Sequence, residues 1–322
     1  MKAAVYYETG DPDVFRYEDV PDPECPRDGV LIEVRAISIE GGDVLNRAGG
    51  LMAGAPHVVG YQCAGVVREV GTDVRDREPG QRVVAVNLNG SHAALRAVPA
   101  RSTWVVPEDV ELEAAACVPI AVGTADDCLF EFGRLRVGET VLVQAGAGGV
   151  GLAAIQLAKR AGATVLATAS SDEKLVRLEA FGLDHGINYR DVDFVSAVRE
   201  ITAGRGADLV VDSIGGRILE QSIEAAAYRG RITSVGSAAR DEYRPDVTQL
   251  RPANKSLIGI FFGAELMMHH DRVHAMVARH IAELASGALR VEIDRRFPLS
   301  EASEAHRYIE SRRAFGRVVL VP

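Results

Sequence analysis

Along the first 120 or so residues, apolar positions come in short runs broken by turn formers. Val30-Leu31-Ile32-Glu33-Val34, Gly65-Val66-Val67-Arg68-Glu69-Val70-Gly71 and Gln81-Arg82-Val83-Val84-Ala85-Val86 have strand length, and Pro21, Pro23, Pro26 and Pro79-Gly80 punctuate them. This spacing predicts a mostly antiparallel β domain, bent or barrel-like. From about 122 to 263 the pattern changes. A β-branched run at 140–145 precedes Leu152, Ile155, Leu157 and Ala158, which fall at helical spacing within 150–161. A strand at 164–169, a helix over about 172–181 and strands at 207–212, 231–236 and 256–262 follow. Strands alternating with helices of this length predict βαβ crossovers and a parallel sheet. A helix near 271–286, a strand at 290–297, a helix near 300–312 and a strand at 316–321 close the chain. We expect this last part to rejoin the first domain. The segment 122–263 is then an insertion into a domain formed by 1–121 and 264–322.

Composition narrows the class. Apolar residues make up 47% and charged residues 25%, ordinary values for a soluble chain. The balance of 36 Lys+Arg against 45 Asp+Glu leaves a net charge of −9, which argues against nucleic acid or an anionic membrane as partner. No stretch approaches the ~20 consecutive apolar residues of a membrane span. The start of the chain enters strand-like sequence without the apolar core of a secretory signal. Cys25, Cys63, Cys117 and Cys128 are scattered, and none forms a C-x-x-C pair, so neither a disulfide scaffold nor a structural zinc is expected. The expectation is a soluble, cytoplasmic protein.

The strongest local signal is Gly146-Ala147-Gly148-Gly149-Val150-Gly151, a G-x-G-x-x-G that follows a strand and opens a helix. In this context Gly146 permits the tight turn, Gly148 lets backbone approach a pyrophosphate, and Gly151 lets the helix pack on the sheet. The helix start offers unpaired N–H groups and a positive dipole end to phosphates. NAD sites normally carry Asp or Glu at the end of the second strand, about 20 residues past the glycines. Here that strand runs into Ala169-Ser170-Ser171, which is small and neutral, and Lys174 lies one helical turn on. Hydroxyls and a cation suit a 2′-phosphate, so NADPH is preferred over NADH; the alternative for Lys174 is an ordinary solvated lysine. Asp172, at the helix start, is expected to cap the helix or to favour its dipole.

Ala145–Gly151, Gly182-Leu183-Asp184-His185-Gly186-Ile187-Asn188-Tyr189 and Val211-Asp212-Ser213-Ile214-Gly215, with the texture of both halves, resemble the medium-chain dehydrogenase/reductase superfamily, and most nearly its zinc-independent quinone oxidoreductase branch. The likeness covers essentially the whole chain. It implies a Rossmann doubly wound parallel sheet inserted into a GroES-like, mostly antiparallel β catalytic domain, with the cofactor between them. It also implies a homodimer through the apolar edge strand at 256–263. By the resemblance, Ser170, Lys174 and Tyr189 hold the 2′-phosphate, and Thr124, Gly148, Gly149, Val150, Gly236 and Phe262 line the rest of the dinucleotide. Tyr189 is otherwise a packed loop tyrosine, and Thr124 a helix-start hydroxyl.

The departures from the family bear on chemistry. Zinc members resemble the pattern Cys-x-x-Asp, then Gly-His-Glu, then a third ligand. This chain has Glu40-Gly41-Gly42-Asp43 at the first place, Gly60-Tyr61-Gln62 at the second and Ile120 at the third, with Cys117 out of register. Nor does it have the lobe of four closely spaced cysteines. A catalytic zinc needs three protein ligands, so no metal is expected. His270 and His274 stand at i, i+4 without an H-E-x-x-H pattern and read as surface or interface histidines. Without a Lewis acid the substrate must carry its own electron sink, as quinones and α,β-unsaturated carbonyls do.

The resemblance puts Tyr61 and Glu40 beside the reacting centre. Tyr61 then donates a proton or fills the vacated metal pocket; Glu40 orients substrate, relays a proton, or is a solvated loop carboxylate. Asp43 is expected to brace the loop. The branch often has Asn where this chain has Glu40. Tyr6 and Tyr7 read as packing residues, and Arg317 either approaches the cofactor or lies on the surface. Two other functions stay open. One is an enoyl-thioester reductase of secondary metabolism, whose substrate favours a basic entrance, with Arg47, Arg96 and Arg101 as the nearby cations. The other is a non-catalytic NADPH-binding protein.

Overall fold

The strand Gly29–Ser38 organises the first part of the molecule. Of its ten residues only Glu33 and Arg35 reach solvent. The reason is pairing on both sides: Gln62–Val70 runs antiparallel along one edge, and Leu95–Pro99 and Arg317–Val321 along the other. The computed structural model describes residues 1–240 and 242–322. It divides into two compact units, Met1–Ala121 with Glu265–Pro322, and Val122–Ala264.

In the first unit, Arg82–Val86 and Thr103–Val105 continue the sheet beyond Gln62–Val70. Val30, Ile32, Val34, Ile37, Val67, Val83, Leu299 and Leu320 share its core, and each such side chain contributes roughly 1.5–3 kcal/mol by leaving water. One pair breaks the antiparallel rule. Ile293–Pro298 and Arg317–Val321 run parallel, joined by the helix Ala302–Glu310. Lys2–Tyr6 forms a small second sheet with Arg16–Asp19 and His57–Val58. There Tyr6 is fully buried, whereas Tyr7 is exposed and its hydroxyl bonds Glu18, so only Tyr6 is a packing residue.

The second unit is a six-stranded sheet, all parallel, in the order His185–Asn188, Thr164–Ala169, Thr140–Val143, Ala207–Asp212, Ala226–Ser234, Ser256–Gly259. This is the doubly wound order, with the chain reversing direction across Thr140–Val143. All four residues of that strand are buried, which is why it reads as a continuous apolar run. The fifth strand starts earlier than expected, at Ala226. The sixth lies at the sheet edge with Leu257 and Ile258 half-buried, and it stops at Gly259. Phe262 therefore opens the helix Phe262–Met268 rather than ending a strand. Among the described residues no helix is long and apolar enough to cross a membrane.

Candidate functional site

In the second unit, the strand Thr140–Val143 hands the chain to a turn at 145–148 and then to the helix Gly149–Arg160, with Gly148 at its N-cap. The left-handed residue of the turn is Ala145, at φ 53°, and not Gly146. Gly146 is required for another reason: a Cβ there would lie 2.8 Å from the Ala167 Cβ and 3.0 Å from the Leu178 Cδ1. A Cβ on Gly151 would stand 2.4 Å from the Ala145 carbonyl oxygen, so this glycine serves the contact of helix with turn more than that of helix with sheet. At Gly148 a Cβ would meet only the Ala145 oxygen, at 3.3 Å. Gly149 and Val150 make the first helical turn, where N–H groups have no intrahelical acceptor. Bare backbone and unpaired N–H donors at a helix start fit a pyrophosphate.

The adjoining strands bring the other candidates to the same edge of the sheet. Ala169 pairs with Asn188, and the Tyr189 N–H donates to the Ala169 oxygen at 3.2 Å, so Ser170 and Tyr189 leave neighbouring strands side by side. Ser171 caps the helix Asp172–Glu179 by accepting the Lys174 N–H, which places Lys174 on the first turn. Asp172 is therefore not the cap. Its carboxylate accepts from Asn188 Nδ2 at 3.0 Å, tied to the next strand. Gly236 lies against the 213–215 turn, where a Cβ would meet the Ser213 oxygen at 2.7 Å. Thr124 is buried on the helix Pro119–Asp126. The Phe262 ring is buried over Gly123, whose Cβ would come within 2.5 Å of it.

The first unit knits together Glu40, Tyr61 and Ile120, the places that the resemblance set against the zinc ligands. The fully buried Asp43 accepts the Glu40 N–H at 2.8 Å on one oxygen and the Tyr61 N–H at 3.2 Å on the other, bracing both segments. Gln62 bonds Glu40 through Nε2 and accepts the Ile120 N–H at 3.0 Å through Oε1. The Tyr61 ring packs against Gly42, where a Cβ would stand 2.5 Å from its Cε2, and its hydroxyl accepts from Asn46 Nδ2 at 2.8 Å.

Glu40 is buried and ion-paired with Arg317, which corrects the picture of a solvated loop carboxylate. Arg317 is likewise no surface arginine. Its Nη2 donates to Ser38 Oγ at 2.6 Å and to the Ile39 oxygen at 2.9 Å, besides Glu40. A zinc site does not fit this donor set. The Glu40 carboxylate faces a guanidinium, Tyr61 offers a hydroxyl already bonded to Asn46, and Ile120 has no donor. Cys117 donates its thiol to the Glu113 oxygen at 3.2 Å, and Cys63 accepts from Arg96 at 3.6 Å. Among the described residues, no group of three or more His, Cys, Asp or Glu is placed to hold a metal.

Burial dominates the titration of these groups. It raises the Glu40 carboxyl against the pull of Arg317, Ser38 and Gln62. It pushes Asp43 up to about 8, aided by the neighbouring Glu40 charge and opposed by its two N–H donors and Arg96. It also raises Tyr61, with Asp43 adding to the effect, so this phenol carries its proton at neutral pH.

Sequence reasoning missed Gln62, Asn46 and the role of Arg317. The one available signal was Gln62, which stands where zinc members have the Glu of Gly-His-Glu. The expected cations also change place. Arg47 is fully buried, bonding the Gly10 oxygen and Glu310, and Arg96 is buried against the carbonyls of Tyr61 and Asn89 at 2.9 and 2.7 Å. Neither makes a basic entrance. Nε2 of His270 and of His274 bonds the carbonyl of Arg101 and of Thr103, at 3.0 and 3.2 Å.

Comparison with known proteins agrees with this architecture. Residues 26–108 match the alcohol dehydrogenase GroES-like domain family, and 149–282 the zinc-binding dehydrogenase family. A 2-haloacrylate reductase from Burkholderia sp. is 32% identical over 333 residues, covering 100% of this chain and 99% of that protein. The structure of Escherichia coli quinone oxidoreductase complexed with NADPH superimposes with a TM-score of 0.93 at 25% identity, covering 100% of both chains. A quinone oxidoreductase from Pseudomonas syringae pv. Tomato gives a TM-score of 0.93 at 27% identity, covering 100% of this chain and 99% of that one.

Proposed function

Because the chain belongs to the zinc-independent quinone oxidoreductase branch of the medium-chain dehydrogenase/reductase superfamily, and is an oxidoreductase of that type, we propose a finer reading: it uses NADPH to reduce quinones or α,β-unsaturated carbonyl compounds without metal. One observation carries this reading. The three places that bind zinc elsewhere are closed among themselves, with Glu40 held by Arg317 and Gln62, and Tyr61 by Asn46. Activation then has to come from the acceptor, and quinones and conjugated carbonyls supply it.

NADPH supplies the hydride when bound. The turn at 145–148 and the first turn of Gly149–Arg160 cradle the pyrophosphate, while Ser170, Lys174 and Tyr189 hold the 2′-phosphate. A carboxylate at the strand end would repel that group. Thr124, Gly236 and Phe262 line the remaining dinucleotide. Tyr61, protonated at neutral pH, donates the proton that accompanies the hydride, to the quinone oxygen or to the enolate; Asn46 and Asp43 fix its position. Glu40, paired with Arg317, orients Gln62. An enoyl thioester is the second acceptor class; the burial of Arg47 and Arg96 removes two of the three cations that favoured it and leaves Arg101 exposed.

The test is a titration with NADPH followed by 1,4-benzoquinone, an enone and an enoyl thioester while nicotinamide absorbance is recorded. Oxidation with quinone or enone is expected, with Tyr61→Phe slowing turnover roughly hundredfold or more if it is the acid. Binding of NADPH without its oxidation by any of the three acceptors would make the protein a non-catalytic NADPH binder. The half-buried edge strand Ser256–Gly259 and the exposed Phe261 beside it support pairing with a second copy. Sedimentation at the mass of one chain would exclude that dimer.

A further inference from the structure

Gln144, Thr168, Asp212 and Ser222 are polar and buried to within 1% exposure, yet none belongs to the nucleotide-binding glycine motif. Gln144 follows the strand Thr140–Val143, Thr168 lies in Thr164–Ala169, Asp212 ends Ala207–Asp212, and Ser222 sits in the helix Gly216–Ala225. Their hydrogen bonds form one directed chain. The Ala145 N–H donates to Thr168 Oγ1 at 3.2 Å, and the Thr168 hydroxyl donates to Gln144 Oε1 at 2.7 Å. Gln144 Nε2 donates to Ser222 Oγ at 3.1 Å, and the Ser222 hydroxyl donates to Asp212 Oδ2 at 2.8 Å. The other oxygen of Asp212 accepts the N–H groups of Ile214 and Gly215 at 2.9 and 2.8 Å.

The direction of the chain follows from its end. A carboxylate only accepts, so the Ser222 proton points to Asp212 and its oxygen is left to accept from the Gln144 amide. The Gln144 oxygen then takes the Thr168 proton, and the Thr168 oxygen takes the Ala145 N–H. Reversing any member strands a buried donor or acceptor, so the chain has a single satisfied arrangement. Its first donor is the residue at φ 53°, a region that residues with a Cβ adopt reluctantly. Thr168 binds the turn twice, because its carbonyl also accepts the Gly146 N–H at 2.9 Å. Its last acceptor folds the 213–215 turn against Gly236.

We infer that Thr168, Gln144, Ser222 and Asp212 are positioning residues that hold the 145–148 turn in its phosphate-binding shape and tie it to the 213–215 turn. This inference rests on the dinucleotide reading proposed above. The network acts on backbone that faces the pyrophosphate, which NADPH and NADH share, so its loss weakens both forms alike. Lys174 by contrast discriminates between them.

Two measurements on Thr168→Val, Thr168→Ser and Thr168→Val/Ala145→Gly test it: amide hydrogen exchange of the cofactor-free protein, and calorimetric affinity for each nucleotide. Thr168→Val keeps the shape and loses the hydroxyl. It should speed exchange at Ala145 roughly tenfold and weaken NADPH and NADH about tenfold each, a free-energy change of about 1.4 kcal/mol. Thr168→Ser should stay near wild type. Ala145→Gly should recover affinity in the valine background, since glycine takes the left-handed conformation without the hydroxyl's help. Unchanged exchange and affinity in Thr168→Val, or a loss confined to NADPH, overturns the inference. If the wild type binds neither nucleotide while the exchange contrast between valine and serine persists, the dinucleotide reading falls and the turn-holding role is supported.

Discussion

The nucleotide cradle and the Glu40–Tyr61 pocket are built on opposite principles. The cradle is local: strand Thr140–Val143, helix Gly149–Arg160, strand Thr164–Ala169 and the start of helix Asp172–Glu179 follow one another along the chain. Backbone forms the surface it presents. In the pocket side chains do that work, and the partners are distant: Asp43 meets Tyr61 across 18 positions, Gln62 meets Glu40 across 22, and Arg317 meets Glu40 across 277. The cradle is open backbone suited to an anion, whereas the pocket is a set of polar groups satisfied by one another. The contrast implies that damage to the cradle registers mainly in binding and loss of the pocket's Glu40–Arg317 pair mainly in stability.

The largest effect is expected from Arg317→Met, which leaves Glu40 buried without its cation and should cost about 3–5 kcal/mol in urea unfolding. Adding Glu40→Gln should restore most of that loss. A single substitution costing less than about 1 kcal/mol, the range of surface pairs, would mean the ion pair does not hold the pocket.

Next in size is Lys174→Ala on the cradle side. It should weaken NADPH roughly ten- to hundredfold, about 1.5–3 kcal/mol, while NADH binding and the unfolding midpoint stay nearly unchanged. Equal loss for both nucleotides in calorimetry would remove the 2′-phosphate role and blur the contrast between the two regions.

Distinct from these single-condition losses is a slope with pH. Asp43 keeps its proton in the folded protein up to about 8, whereas the unfolded chain releases it near 3.9. Between those values the folded state binds more protons, so stability is fullest below about 4 and declines as pH rises towards 8. Asp43→Asn does not titrate and should flatten this decline in urea midpoints measured across the range. A slope identical to wild type would show that Asp43 is ionised in the fold.

The same contrast explains what could be read in advance. The parallel sheet was legible because buried strands such as Thr140–Val143 carry unbroken apolar runs, and the glycine turn because Gly146 and Gly151 stand where a Cβ would collide. Yet the turn's left-handed residue is Ala145, which no glycine pattern marks, and the cap of the next helix is Ser171 where Asp172 had seemed suited. Glu40, Tyr61 and Ile120 were found as places where zinc ligands are missing. What fills those places depends on Arg317, whose partner is invisible at that separation along the chain.

On its own, then, the chain determined the alternation of strands and helices, the glycine turn and the neutral end of the second strand, since each follows from neighbours a few residues apart. Only the folded molecule decided that Glu40 meets a guanidinium, that Arg47 and Arg96 turn inward, and that Thr168 reaches back to Ala145 at the head of a buried relay. Burial makes those polar groups seek one another wherever they lie in sequence, and which partner each finds is set by tertiary packing.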